Sequence, residues 1–410
     1  MQKILQINIT CGRGSTGKIA EALFLKTKQE GYESRFAYSA YTPTLSEAFS
    51  IETRLQNYLR RGLNRFFGRK QSHSTPGTKR LIRYIRKEQP DLIHIHNVQQ
   101  NCVNYRLLFD FLKKAKIPVV YTLHDCWPFT GGCFHFTSIN CDQFSVGCVK
   151  CPNAVCPDDI RYSAKESFDS KKDLIGKNER IFPVCVSKWL RNVSNRSYLG
   201  AMKQKTRVIY NGINLNKFFP QQENLREKLG IDDDTFLILG VSSVWTEEKG
   251  LSHFLNLAEH LPPDWKILLV GAGTEMIEKN NILTLSRTEN QKQLAQIYST
   301  ADVYFNASIE ETFGLTTAEA LSCGTPAIVF DSTACPEIVD GHTGIVVPAN
   351  ATNDDVLAVL AEIKRLGKEH YSSACVARAK ALFDEQRMLT EYLALYRSIL
   401  DDTLQKPTTE

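Results

Sequence analysis

Residues 311–320 read Glu-Thr-Phe-Gly-Leu-Thr-Thr-Ala-Glu-Ala, a loop that turns into a helix, with one carboxylate at its mouth and another along the helix. Gly314 lets backbone approach a ligand closely, and Thr316 or Thr317 is placed to cap the helix that carries Glu319. The amides at such a helix start, with the positive end of its dipole, suit an anion such as a diphosphate. Two carboxylates beside a phosphate repel it unless they bond hydroxyls. Sugar and ribose hydroxyls are therefore their natural partners. A plain amphipathic helix with two solvated glutamates has the same spacing, so context has to decide.

On both sides of this block, short apolar runs alternate with helical patterns, which indicates parallel α/β sheets. The earlier runs are residues 4–9, 34–38, 92–95, 119–123 and 182–186. The later runs are residues 207–210, 236–241, 266–270, 303–306, 327–330 and 345–347. One sheet of so many strands would be unusually large. Two Rossmann-like domains are expected instead, over 1–200 and 201–385, with a hinge near 199–206 and a helical segment over 386–410. A length of 410 residues suits two domains, each with its own core.

Composition sets further bounds. With 42% hydrophobic and 23% charged residues, the chain reads as a soluble globular enzyme. A formal charge of +5 is too mild to imply nucleic acid. The N-terminus alternates like a strand and lacks the apolar run of a secretory leader, and no run approaches a membrane span. A cytoplasmic location with reduced thiols is expected.

Other stretches join residues 311–320 in one pattern. Leu321-Ser322-Cys323-Gly324-Thr325-Pro326-Ala327-Ile328 follows it, and Val208-Ile209-Tyr210-Asn211-Gly212-Ile213-Asn214 and Glu248-Lys249-Gly250 precede it. Asp91-Leu92-Ile93-His94-Ile95-His96 and Thr122-Leu123-His124-Asp125 lie further upstream. Together these resemble the motifs of retaining glycosyltransferases of the large family four, including its Glu-x7-Glu signature. The resemblance implies the GT-B fold: two Rossmann-like domains facing a cleft, and a C-terminal helix crossing back to the first domain. It also implies a nucleotide diphosphate sugar donor and a glycan or lipid-linked saccharide acceptor, in surface-polysaccharide assembly of the bacterial type. Donor contacts are expected at Gly14, Asn211, Lys249, Glu311, Thr312, Phe313, Gly314, Leu315, Thr316 and Glu319. His124, Lys249 and Glu311 are expected at the chemistry, which needs no added cofactor. Many relatives carry an arginine five residues before the lysine, where this chain has Val244; Arg13, Lys18 or Lys188 is the expected substitute.

The residues themselves point the same way. Lys249, at a strand end, is placed to neutralise a leaving diphosphate as a compact charge. Cys11-Gly12-Arg13-Gly14-Ser15-Thr16-Gly17-Lys18 satisfies G-x-G-x-x-G after the first strand, but no acid lies about 20 positions on to bind a dinucleotide ribose. Ile19 stands where a P-loop needs a hydroxyl for magnesium. A phosphate-tolerant loop remains, with Gly14 as its point of closest approach. His124 ends a strand; a histidine satisfied in the core is the alternative there, as for His94 and His96.

Cys133, Cys141, Cys148 and Cys151 gather four thiols in one loop over 126–157, near Cys126, His135 and Cys156. Cys148-Val149-Lys150-Cys151 has the spacing of a metal knuckle, so a closed structural zinc site is expected. Buried free cysteines are the alternative. Residues 54–70 place Leu55, Tyr58, Leu59, Leu63, Phe66 and Phe67 on one helical face among arginines, with no acid. That pattern suits a helix lying on an anionic membrane surface, or a packed helix with a basic outer face. Two rivals remain: a nucleotide-sugar epimerase of the same architecture, and a nucleic-acid-binding protein built on the cysteine knuckle, which leaves Glu311 and Glu319 idle.

Overall fold

Alternating strands and helices form two all-parallel sheets in the computed structural model, which describes residues 1–67, 74–99, 102–152, 164–274, 277 and 279–405. The first sheet contains β1 (Lys3–Ile7), β2 (Glu33–Tyr38), β3 (Phe49–Ser50), β4 (Leu92–Ile95), β5 (Val119–Leu123), β6 (Ile181–Cys185) and β7 (Arg207–Val208). The second contains β8 (Phe236–Val244), β9 (Trp265–Ala272), β10 (Ile282–Leu285), β11 (Val303–Asn306), β12 (Ala327–Phe330) and β13 (Gly344–Val347). Strands such as β4, β5, β11 and β12 are buried along their whole length. Near-continuous apolar strands of this kind require helices on both faces of the sheet.

The spatial orders are β3-β2-β1-β4-β5-β6-β7 and β10-β9-β8-β11-β12-β13. Each sheet is thus wound outward in both directions from a central pair, β1 with β4 and β8 with β11. In such sheets ligands bind beyond the carboxyl ends of the strands at this switch point. The chain forms two compact units, Met1–Ile209 with Leu389–Glu410, and Tyr210–Met388.

Two expectations are corrected here. The run 207–210 belongs to the first sheet, because Arg207 and Val208 pair with Val184 and Cys185. The units divide after Ile209 rather than near 199–206. The short edge strands β3 and β10 were not expected; each is only partly buried, and they run to just two and four residues.

The last helix, Glu385–Gln405, buries Leu389, Tyr392, Leu393, Tyr396, Ile399 and Leu400. This three-and-four spacing puts one apolar stripe on one face, and from Leu389 onward the helix belongs to the first unit. Burying each large side chain contributes about 1.5–3 kcal/mol. Tyr392 and Tyr396 also reach polar partners, Thr122 Oγ1 at 2.7 Å and His94 Nδ1 at 2.5 Å.

Candidate functional site

The loops leaving the carboxyl ends of β8 and β11 carry Lys249 and Glu311. Lys249 Nζ donates to Glu311 Oε1 at 2.7 Å. The approach depends on Gly250, whose φ is 78° and where a Cβ would stand 2.3 Å from the Ala307 carbonyl oxygen. Thr333 Oγ1 accepts from the Glu311 amide at 3.0 Å, and the Ala334 amide donates to the Glu311 carbonyl at 3.2 Å. Those bonds fix the loop from the far side. The Lys249 side chain is 38% exposed and that of Glu311 is 19% exposed. An ion pair so open to water contributes at most about 1 kcal/mol to stability, but its ammonium is already held where an arriving anion can share it.

The helix Leu315–Ser322 starts at Gly314, which takes the cap position with φ 98° and no side-chain cap. Neither threonine caps it, contrary to expectation. Thr316 Oγ1 accepts from the Tyr304 hydroxyl at 2.8 Å, and Thr317 Oγ1 accepts from Asn306 Nδ2 at 3.0 Å. Lying inside the helix, both face β11 rather than the helix start. Phe313 is buried between Tyr210 and Phe383, with ring centroids 5.9 Å and 5.6 Å away. Only its backbone is available to border a ligand. Thr312 and Leu315, by contrast, are partly exposed.

Glu319 sits in the second turn and accepts from the Tyr298 hydroxyl at 3.1 Å. Burial pushes the Tyr298 and Tyr304 hydroxyls up, so both remain protonated donors at neutral pH. No sequence signal marked these tyrosines: Tyr298 lies on a separate helix, Gln291–Thr300. Asn211 is buried at the start of this unit. Its segment seats the last helix, since the Ile213 amide donates to the Phe383 carbonyl at 2.7 Å and Asn214 Nδ2 donates to Glu385 Oε2 at 2.9 Å. Val244 is exposed at the end of β8, and the expected substitutes Arg13, Lys18 and Lys188 all belong to the first unit.

In the first unit, the switch point is occupied by a chain of neutral polar groups. Thr122 Oγ1 bonds His94 Nε2 at 2.7 Å; His94 Nδ1 bonds the Tyr396 hydroxyl; and Gln6 Nε2 donates to that hydroxyl at 3.4 Å. Gln6 Oε1 accepts from His96 Nε2 at 3.1 Å, which leaves His96 Nδ1 to accept from His124 Nε2, also at 3.1 Å. Burial holds His94 and His96 well below the usual histidine range and pushes His124 down to about 3. His124 is thus neutral, oriented through His96 and partly exposed at its edge. Gly14 opens the helix Gly14–Gln29 with φ 66°, and no atom lies within 4 Å of where its Cβ would be. That is the geometry a close backbone approach needs.

The four expected cysteines line one small cavity of about 20 Å³, with Thr130, Phe136, Gln143 and Phe144. Among the described residues, however, no three histidine, cysteine or acidic side chains are set to hold an ion together as they stand. Cys156 lies outside the described residues. The helix Arg54–Phe67 exposes Leu55, Tyr58, Leu59 and Leu63. Arg60 turns inward onto the buried carboxylate of Glu52 at 2.7 Å. The side chains of Arg61, Arg65, Phe66 and Phe67, and all of Arg69 and Lys70, lie outside the described residues. Among the described residues, no helix is long and apolar enough to cross a membrane.

Comparisons with known proteins agree with this arrangement. The model for Glycosyltransferase Family 4 matches residues 26–217, and that for Glycosyl transferases group 1 matches residues 221–378. An alpha-monoglucosyldiacylglycerol synthase of Acholeplasma laidlawii is 28% identical over 343 residues, which is 75% of this chain and 79% of that protein. The putative colanic acid biosynthesis glycosyl transferase WcaC of Escherichia coli is 22% identical, over 97% of this chain and all (100%) of that one. Among solved structures, a sucrose-phosphate synthase from Thermosynechococcus elongatus superposes with a TM-score of 0.73 at 18% identity, covering 98% of this chain and 100% of that one. The Anabaena protein HepE, in complex with UDP and glucose, superposes with a TM-score of 0.66 at 17% identity, covering 97% of this chain and 100% of its own.

Proposed function

Because this chain belongs to the family-four glycosyltransferases, matched in succession by models of both halves, we propose that it is a retaining enzyme with its donor site at the switch point of the second sheet. As a member it acts on nucleotide sugars. The observation that carries the assignment is the 2.7 Å contact of Lys249 with Glu311, just before the start of the helix that bears Glu319.

In the proposed mechanism, the helix amides and Lys249 receive the diphosphate, Glu319 bonds the ribose hydroxyls, and Glu311 bonds the sugar. The bond between the anomeric carbon and the phosphate oxygen breaks as the acceptor oxygen attacks from the same face, and the acceptor proton passes to the departing phosphate. Lys249 stabilises the charge that builds on the leaving group, where a preorganised cation is most effective.

The proposed acceptor is a glycan or a lipid-linked saccharide in surface-polysaccharide synthesis. Two features support a lipid: the diacylglycerol product in the name of the Acholeplasma relative, and the exposed Leu55, Tyr58, Leu59 and Leu63 on a helix with basic residues. Such a helix binds anionic vesicles through apolar burial plus charge. Sedimentation with phosphatidylglycerol vesicles should pull the protein down at low salt, and Leu59→Glu with Tyr58→Glu should release it. Incubation with a nucleotide sugar panel and membrane extract should give a product that keeps the donor's anomeric configuration by NMR. An inverted product, or a new nucleotide sugar formed from donor alone, would overturn the assignment.

A further inference from the structure

We infer that the cavity lined by Cys133, Cys141, Cys148 and Cys151 takes one thiophilic divalent cation of the zinc class, as a structural site bound by four thiolates. The sequence spreads these residues over a loop with little regular structure, yet all four border the same space of about 20 Å³. A space of that size holds little more than one water-sized occupant.

The backbone around Cys148 is shaped for this role. Gly147 and Cys148 follow one another with φ of 129° and 53°, and the second is an uncommon conformation for a residue with a side chain. Both amides turn back to the Gln143 carbonyl, at 2.9 Å and 2.8 Å. This tight turn presents Cys148 and, three residues on, Cys151 in knuckle spacing. The Gly131 amide donates to Cys148 Sγ at 3.1 Å, a bond that favours a thiolate and orients it, as partners of metal ligands do.

Charge supplies an independent argument. Lys171 is fully buried; its ammonium donates to the Trp127 carbonyl at 2.8 Å and stands 3.9 Å from the centre of the Trp127 ring. Cys148 lies within the field of that ammonium. Among the described residues the side chains do not stand closed around an ion, so binding draws the four sulfurs together. Four thiolates on a divalent ion leave two negative charges, and the buried ammonium offsets part of them. On binding, each ligating thiol releases its proton to solvent and closes on the ion, so no oxidant or reductant is needed.

Two measurements test the site, neither of them dependent on the enzymatic reaction. Elemental analysis of the full chain, purified without chelator, should find one zinc per chain. Cys148→Ser and Cys141→Ser should each lower this by more than about tenfold, because a structural site needs all four ligands, while Cys11→Ser should leave it unchanged. Cobalt(II) added to wild-type protein depleted of zinc should give the visible and near-ultraviolet bands of a tetrahedral thiolate complex, which keeps the test valid if a serine variant does not fold. A folded wild-type chain that takes up neither zinc nor cobalt overturns the inference, whether its four thiols titrate freely or prove to be disulfide-bonded by mass spectrometry.

Discussion

At the switch point of the second sheet, Lys249 and Glu311 meet as charges open to solvent. At that of the first, Gln6, His94 and His96 meet as neutral groups sealed from it. The strand order around both points is the same, so topology supplies the place and side chains alone decide its chemistry. An exposed ion pair contributes little to folding and can exchange partners with a ligand. A buried hydrogen-bonded chain is costly to disturb and holds its geometry. Substitutions at the second point should therefore cost activity more than stability, and disturbance of the first should do the reverse.

Acid provides the largest test of that contrast. Burial lowers the folded-state pKa of His94, His96 and His124, while unfolded histidine titrates near 6.5. Below that pH the unfolded chain takes up protons that the folded chain refuses, so the contribution to stability is present above about 6.5 and lost as pH falls toward the folded values. All three histidines act in the same direction, so the loss steepens as pH falls below about 6.5. Among the histidines of the second unit, burial clearly lowers His253, which is half-buried. Urea unfolding at pH 7, 6 and 5, followed by hydrogen exchange, should show the first unit weakening faster. Equal loss in both units would remove the contrast.

Lys249→Ala should lower turnover on the order of a hundredfold, with a change in unfolding free energy of at most about 1 kcal/mol. Lys249→Arg should recover only part of the rate, because a planar fork differs in shape from an ammonium. A variant that unfolds readily but turns over normally would make the pair structural. A smaller effect is expected at Tyr298. Tyr298→Phe keeps the ring but removes the donor to Glu319, and should weaken nucleotide binding by about 0.5–1.5 kcal/mol. No change in affinity by calorimetry would mean that Glu319 is held by other groups.

The strands of the central pairs were legible because buried parallel strands are nearly continuously apolar, as in residues 92–95, broken by His94 alone, and 303–306, which end in Asn306. The edge strand at Phe49–Ser50 was not, since two partly buried residues carry no period. At the site, Lys249 and Glu311 were legible from local motifs, and Gly250 explains why the lysine sits where it does. Thr316 and Thr317 were misread because a helix start can be capped by a glycine in left-handed conformation, freeing both hydroxyls to bond the neighbouring strand. The supports of Glu319 and His124, namely Tyr298, His96, Gln6 and Tyr396, come from distant segments. Spacing along one chain cannot reveal such partners.

The donor assignment turns on whether Glu319 bonds a ribose hydroxyl. Calorimetric titration of the wild-type chain and of Glu319→Ala with a nucleoside diphosphate and with its 2′,3′-dideoxy analogue tests this directly. In the wild type, removing the hydroxyls should cost about 1.5–3 kcal/mol, the worth of a hydrogen bond to a charged group. In Glu319→Ala the two ligands should bind alike. A variant that still discriminates between them as strongly as the wild type would contradict the placement of the donor in the second unit's switch point.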